Sequence, residues 1–104
     1  MIIALVQIKL PQPLSREKAH EIFSGTAPKY RELHGLIRKH YILSMDGEIA
    51  GGVYLWHSRE NAEQLYTGEW KKFILDKYGV LPSVTYYECP VTVDNLTGEI
   101  ITDD

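Results

Sequence analysis

The dipeptide Asp46-Gly47 constrains this chain more than any other feature. It stands between two apolar runs, and an Asp-Gly pair in that setting marks a tight hairpin, because both residue types tolerate the left-handed backbone such a turn needs. Residues 36–45 and 48–57 thereby become antiparallel neighbours. A helical pattern flanks each side. Ser15 can cap a helix with Ala19, Ile22, Phe23, Ala27, Tyr30 and Leu33 on one stripe. Ser58 can cap a second with Ala62, Leu65, Tyr66, Trp70, Phe73 and Ile74, stopped by Gly79. Outside these lie a β-branched run, Ile2–Lys9, closed by Pro11 and Pro13, and a second run over 84–91 after Pro82. The order β-α-β-β-α-β predicts an α+β, ferredoxin-like domain: an antiparallel sheet with two helices on one face.

Breakers predict that neither helix is continuous. Gly25 and Pro28 fall in the first, and Pro28 lacks an amide proton and crowds the preceding turn. Thr67 and Gly68 fall in the second. Each interruption is expected to lift part of its helix off the sheet and leave a pocket. Strands such as Ile2-Ile3-Ala4-Leu5-Val6 are apolar at nearly every position rather than alternating, as when both faces are covered. With both helices on one side, a second sheet is the simplest cover for the other, so a homodimer is expected. Residues 1–93 form the expected domain. Residues 94–104 form a tail with a turn over 95–98 and a β-prone stretch over 100–102.

At 104 residues, 44% hydrophobic and 24% charged, the chain is one ordinary globular domain. A net charge of −3 and alternating signs argue against nucleic acid or an anionic membrane as partner. Cys89 is the single cysteine, which excludes an internal disulfide and favours a reducing compartment. Residues 2–10 lack the basic start and small-residue cleavage site of an export signal and are too short to cross a bilayer. A cytoplasmic protein is expected. His20, His34, His40 and His57 show no metal-ligand spacing, so no metal site is expected. Gly-rich phosphate loops and nucleophile turns are also absent.

The hairpin sets a register. With Met45 opposite Glu48, Lys39 faces Tyr54, Ile37 faces Trp56 and Tyr41 faces Gly52, all on one side of the sheet. Leu36, Arg38, His40 and Ile42 share the other side with Gly51, Val53 and Leu55. Lys39 among aromatic rings is either a cation–π pair and a site for an anionic or phenolic ligand, or a stem that packs while its amine reaches water. Gly51-Gly52 inside a strand marks either a close approach that opens space above Tyr41 or tight packing of a helix. His40 is a candidate for proton transfer, because imidazole as a group type works near neutral pH, or a structural residue. Seven Tyr and two Trp exceed the needs of so small a core and are compatible with a flat aromatic ligand, although core and dimer interface absorb aromatics too.

Gly35-Leu36-Ile37-Arg38-Lys39, the hairpin, and then Gly51-Gly52-Val53-Tyr54-Leu55-Trp56 resemble the YdhR-type family assigned as mono-oxygenases. Ala27-Pro28-Lys29-Tyr30-Arg31 and Glu69-Trp70 resemble a related branch. The similarity spans most of the chain, and the Gly-Gly-Val-Tyr-Leu-Trp block is its most specific part. The resemblance implies a dimeric α+β barrel of the antibiotic-biosynthesis mono-oxygenase kind, oxidising small aromatic or phenolic compounds with oxygen and without metal, flavin or other cofactor. Relatives on this fold also serve as isomerases, dehydratases and ligand sensors, so fold alone does not fix activity. Lys39, His40 and Tyr41 are the candidate catalytic residues. Gly51, Gly52, Tyr54, Trp56, Tyr66 and Trp70 are the candidate substrate-binding residues. The alternative is a non-catalytic domain that binds a small ligand with the same residues.

Overall fold

The computed structural model describes residues 1–103. β1 (Ile2–Lys9) leads into α1 (Arg16–Tyr30), β2 (Leu36–Leu43) and β3 (Ile49–Trp56). Next come α2 (Arg59–Leu65), α3 (Gly68–Tyr78) and β4 (Ser83–Glu88), and a hairpin of β5 (Val91–Asp94) and β6 (Glu99–Thr102) ends the chain. The main sheet runs β2-β3-β1-β4, all antiparallel, and β5-β6 form a separate two-stranded ribbon. This is the ferredoxin-like α+β arrangement expected from the element order.

The β2–β3 connection shows why the register was readable. Ser44 donates its amide to the Ile49 carbonyl at 2.8 Å, and Gly47 donates to the Ser44 carbonyl at 2.8 Å. The loop is therefore longer than the two residues expected, with Gly47 at φ 76 taking the left-handed position. The Asp46 carboxylate accepts from the Glu48 amide and the Ser44 hydroxyl, which holds its pKa below the usual carboxylate range. The extra residues are shared equally by the two strands. Lys39 still pairs with Tyr54 and Tyr41 with Gly52. One pairing differs. A bulge between Leu36 and Arg38 sets Leu36, not Ile37, opposite Trp56. Leu36 joins the core and Ile37 is left exposed.

The helix breakers divide. α1 is continuous through Gly25 and Pro28, contrary to expectation. Pro28 falls in its last turn, two residues before the end, so few ladder bonds remain to be lost beyond it. The Thr26 hydroxyl also donates back to the Phe23 carbonyl within that final stretch. The second helix does break. Tyr66 leaves helical geometry, and Thr67 restarts the chain as the N-cap of α3, its hydroxyl accepting from the Trp70 amide. The last main strand is shorter than the run over 84–91. It stops at Glu88, and Pro90, which cannot donate to a ladder, separates it from β5.

Ala4, Val6 and Ile8 of β1, with Tyr54 and Trp56 of β3, face the helices and meet Ala62, Tyr66, Trp70 and Ile74 in the buried core. Alternation sends Ile3, Leu5, Val53 and Leu55 to the opposite face, which carries no helix among the described residues. At one end of that face Leu55, Thr92 and Ile101 line a shallow cleft, where Arg38 meets the buried Asp94 at 3.0 Å. No helix among the described residues is long and apolar enough to cross a membrane.

Candidate functional site

β2 is an edge strand, and the C-terminal end of α1 lies across it. That crossing assembles the site. Tyr30, the last residue of α1, is buried, and Lys39 and Tyr41 rise from β2 beneath it. The Lys39 amine lies 3.3 Å from the centroid of the Tyr30 ring, 3.7 Å from that of Tyr41 and 4.6 Å from that of Tyr54. These are cation–π distances. Burial pulls its pKa down to about 7, while the three ring faces act in the opposite sense by favouring the ammonium. Among the described residues no carboxylate forms an ion pair with it.

The rings around the amine are fixed by their own hydroxyls and indoles. Trp70 donates its indole N–H to the Tyr30 hydroxyl at 3.0 Å, which ties α3 to α1. Tyr41 shares a 2.8 Å hydrogen bond with the Thr26 hydroxyl and stacks on Phe23, centroids 4.8 Å apart. Trp56 is wholly buried and donates to the Tyr66 hydroxyl at 3.1 Å. Tyr54 lies parallel to Trp56, with edge-on contacts to Tyr30 and Tyr66. Burial raises the pKa of Tyr41, Tyr54 and Tyr66, and pushes Tyr78 up to about 12. All four remain neutral phenols at physiological pH, so none of them offers Lys39 an anionic partner.

The two glycines have separate uses. A Cβ on Gly52 would fall 2.9 Å from the Tyr54 ring and 3.2 Å from Cε of Lys39. Gly52 is therefore the floor on which the lysine stem and the tyrosine ring lie. A Cβ on Gly51 would collide with the Val6 carbonyl oxygen of β1. Both glycines are required by close packing of the groups that lie against them.

Of the residues singled out in the sequence, Lys39, Tyr41, Gly51, Tyr54 and Trp70 line one interior cavity between α1, α3 and the sheet. It holds about 20 Å³, room for one water. Trp56 and Tyr66 sit in the core beside it. His40 pairs with Val53 and projects from the opposite face, exposed and apart from Lys39. The cavity also takes Phe23, Thr26, Tyr30 and Phe73, which were not singled out as site residues. Phe23 and Tyr30 are seven residues apart on the apolar stripe of α1, so the stripe already marked them as inward-facing. That α1 ends directly over Lys39 was not readable from the sequence.

Two larger spaces adjoin the cavity. A cleft of about 250 Å³ at the β2 edge is lined by Ala27, Tyr30, Lys39 and Tyr41 among others. A groove of about 690 Å³ between α1 and the β2–β3 turn shares Phe23 and Tyr41 with the interior. No group of three His, Cys, Asp or Glu side chains suited to a metal ion occurs among the described residues.

No protein-family model and no curated protein matches the sequence. Solved structures do. The chain is similar to a monooxygenase from the gene ActVA-Orf6 of Streptomyces coelicolor, determined with the ligand nanaomycin D, at 20% identity and a TM-score of 0.62 over 85% of this chain and 86% of that one. It is similar at 16% identity and a TM-score of 0.64, over 90% and 97% of the two chains, to a Deinococcus radiodurans protein assigned as an antibiotic biosynthesis monooxygenase. A Bacillus halodurans protein of the ethyl tert-butyl ether D family matches at 24% identity and a TM-score of 0.54, over 86% and 99%. The chain thus shares its ferredoxin-like α+β fold with these three proteins.

Proposed function

We propose that this chain is a cofactor-independent mono-oxygenase of the YdhR type, acting on a small aromatic or phenolic compound. The observation that carries the reading is the Lys39 amine, set against three phenol rings with no anionic partner among the described residues. An amine in that position is an electrostatic partner for a phenolate, and it favours ionisation of a bound phenol. A phenolate is electron-rich enough to reduce dioxygen directly. For a phenol bearing an activated methylene, methylene plus dioxygen gives carbonyl plus water. Two C–H bonds break, one oxygen atom stays on carbon, and the other leaves as water carrying both hydrogens. The electrons that reduce both oxygen atoms come from the substrate. Tyr30, Tyr41, Tyr54 and Trp70 supply ring faces and edges for an aromatic guest. The monooxygenase structures sharing this fold, one of them determined with nanaomycin D, support a small-molecule site.

We further propose that the helix-free face, with Ile3, Leu5, Val53 and Leu55, meets the same face of a second copy, and that the protein works in the cytoplasm as a homodimer. Residues 1–93 are proposed as the working domain, with 94–104 as an appended tail.

A second reading has its own support. The interior cavity holds about 20 Å³, too little for an aromatic ring without movement of Phe23 or Tyr41. A domain that binds a ligand in the outer spaces without turnover fits that packing. Oxygen uptake with a panel of phenols, naphthols and quinols separates the two. Uptake matched by substrate loss, and diminished in Lys39→Met, is the expected outcome. Ligand binding with no uptake across the panel overturns the enzyme reading in favour of the second.

A further inference from the structure

Lys39 stands where enclosed and open space meet. Its stem lies on Gly52, three rings face its amine, and the edge cleft of about 250 Å³ opens onto it. Tyr30 and Tyr41 form walls of that cleft. A planar guest entering from the β2 edge therefore meets Tyr30, Tyr41 and Lys39 together. Lysines on the outer helix surfaces differ. Lys18 and Lys72, for example, are exposed and pair with Glu21 and Asp76 on their own helices.

From this geometry we propose that Lys39 is a nucleophilic amine that forms a reversible imine with a small planar aldehyde admitted through the edge cleft. The free amine adds its lone pair to the carbonyl carbon. The carbonyl π electrons pass to oxygen, and a solvent water relays one N–H proton from the new ammonium nitrogen to that oxygen, which gives the neutral carbinolamine. The carbinolamine then loses water, and the sum is amine plus aldehyde giving imine plus water, with no oxidant or reductant consumed. The protonated imine is again a cation at the position of the ammonium, so the faces of Tyr30, Tyr41 and Tyr54 serve it in the same way. Burial, by bringing the Lys39 pKa to about 7, leaves a large share of the amine free at neutral pH, where an ordinary lysine is almost wholly protonated. The groups facing the amine from α1, β2 and β3 are the rings of Tyr30, Tyr41 and Tyr54. Arg31, Glu32 and Arg38 line the cleft, and Lys77 and Tyr78 of α3 line the interior cavity. Imine formation at Lys39 requires no mono-oxygenase activity.

The test is reductive trapping on the full chain, with benzaldehyde and cyanoborohydride at pH 7.5, followed by peptide mass mapping. Lys39 is expected to label on the order of tenfold faster than Lys18 or Lys72, with a rate that levels off above about pH 7. In Lys39→Arg the fast site disappears and slow labelling elsewhere is unchanged. Labelling of Lys39 no faster than of Lys18 and Lys72, or only after unfolding in urea, overturns the proposal. The wild-type map decides the matter even if the variant fails to fold, and it is independent of any oxygen uptake.

Discussion

The Lys39 amine lies 3.3 Å from the centre of the Tyr30 ring, and the two residues belong to elements joined only by the short connection from α1 to β2. Tyr30 is held there from the other side by the Trp70 indole of α3. One contact thus links the edge strand to both long helices, and it places a cation at the point where they converge. The consequences can be measured separately.

Replacing Lys39 with Met keeps most of the stem and removes the charge. A lysine whose pKa is lowered on folding costs stability wherever the unfolded chain binds the proton more tightly. That cost is full below about pH 7, shrinks as pH rises, and vanishes above the unfolded value of 10.5. Wild-type stability relative to Lys39→Met should therefore rise between pH 7 and 10, by about 1.4 kcal/mol for each pH unit in which only the unfolded chain holds the proton, on the order of 4 kcal/mol in all. Urea melts of both proteins at pH 6.5, 8 and 9.5 check this. A flat difference means the amine is not desolvated.

Gly51→Ala and Gly52→Ala should both destabilise, in a fixed order. The new methyl at position 52 meets a flexible lysine stem and a ring edge, at a cost of about 1–3 kcal/mol. At position 51 it meets the Val6 carbonyl, which is held in a strand pair and cannot yield. Gly51→Ala should be the more damaging in denaturant melts. The reverse order would show that β1 and β3 approach each other less tightly at this point.

Trp70→Phe removes a buried donor, and Tyr30→Phe removes its acceptor. Each change strands the other buried partner, and Trp70→Phe also leaves a cavity, so each should cost about 1–3 kcal/mol, with Trp70→Phe the larger. A double-mutant cycle in urea should return a favourable coupling. Additive losses would mean that the hydrogen bond contributes nothing to the tie between α1 and α3.

If the proposed dimer forms through the helix-free face, Leu5→Asp should convert it to a monomer. The charge would be buried against the second copy and unpaired. Sedimentation of wild type and variant at micromolar concentration checks the shift. A monomeric wild type with intact near-ultraviolet dichroism would remove the dimer.

Legibility from sequence followed the range of the interaction. β1, the cap of α1 and the pairing of Lys39 with Tyr54 were readable because pattern and turn chemistry are local. The bulge at Leu36 was not, since nothing in Gly35-Leu36-Ile37 reveals which apolar residue the core prefers. Pro28 misled because its effect depends on how far it lies from the helix end, a distance set by how Tyr30 packs. Lys39 was found through the register. Its covering ring, Tyr30, belongs to a packing angle between α1 and β2 that no single-sequence pattern encodes.

The most direct test of the role given to Lys39 is to follow its Cε resonance by NMR through a pH titration, with and without 2-naphthol. The expected result is a midpoint near 7 in the free protein, moving upward when the naphthol binds as its anion beside the amine. A midpoint near 10.5 that the ligand leaves unmoved would contradict both the desolvated amine and its place in the site.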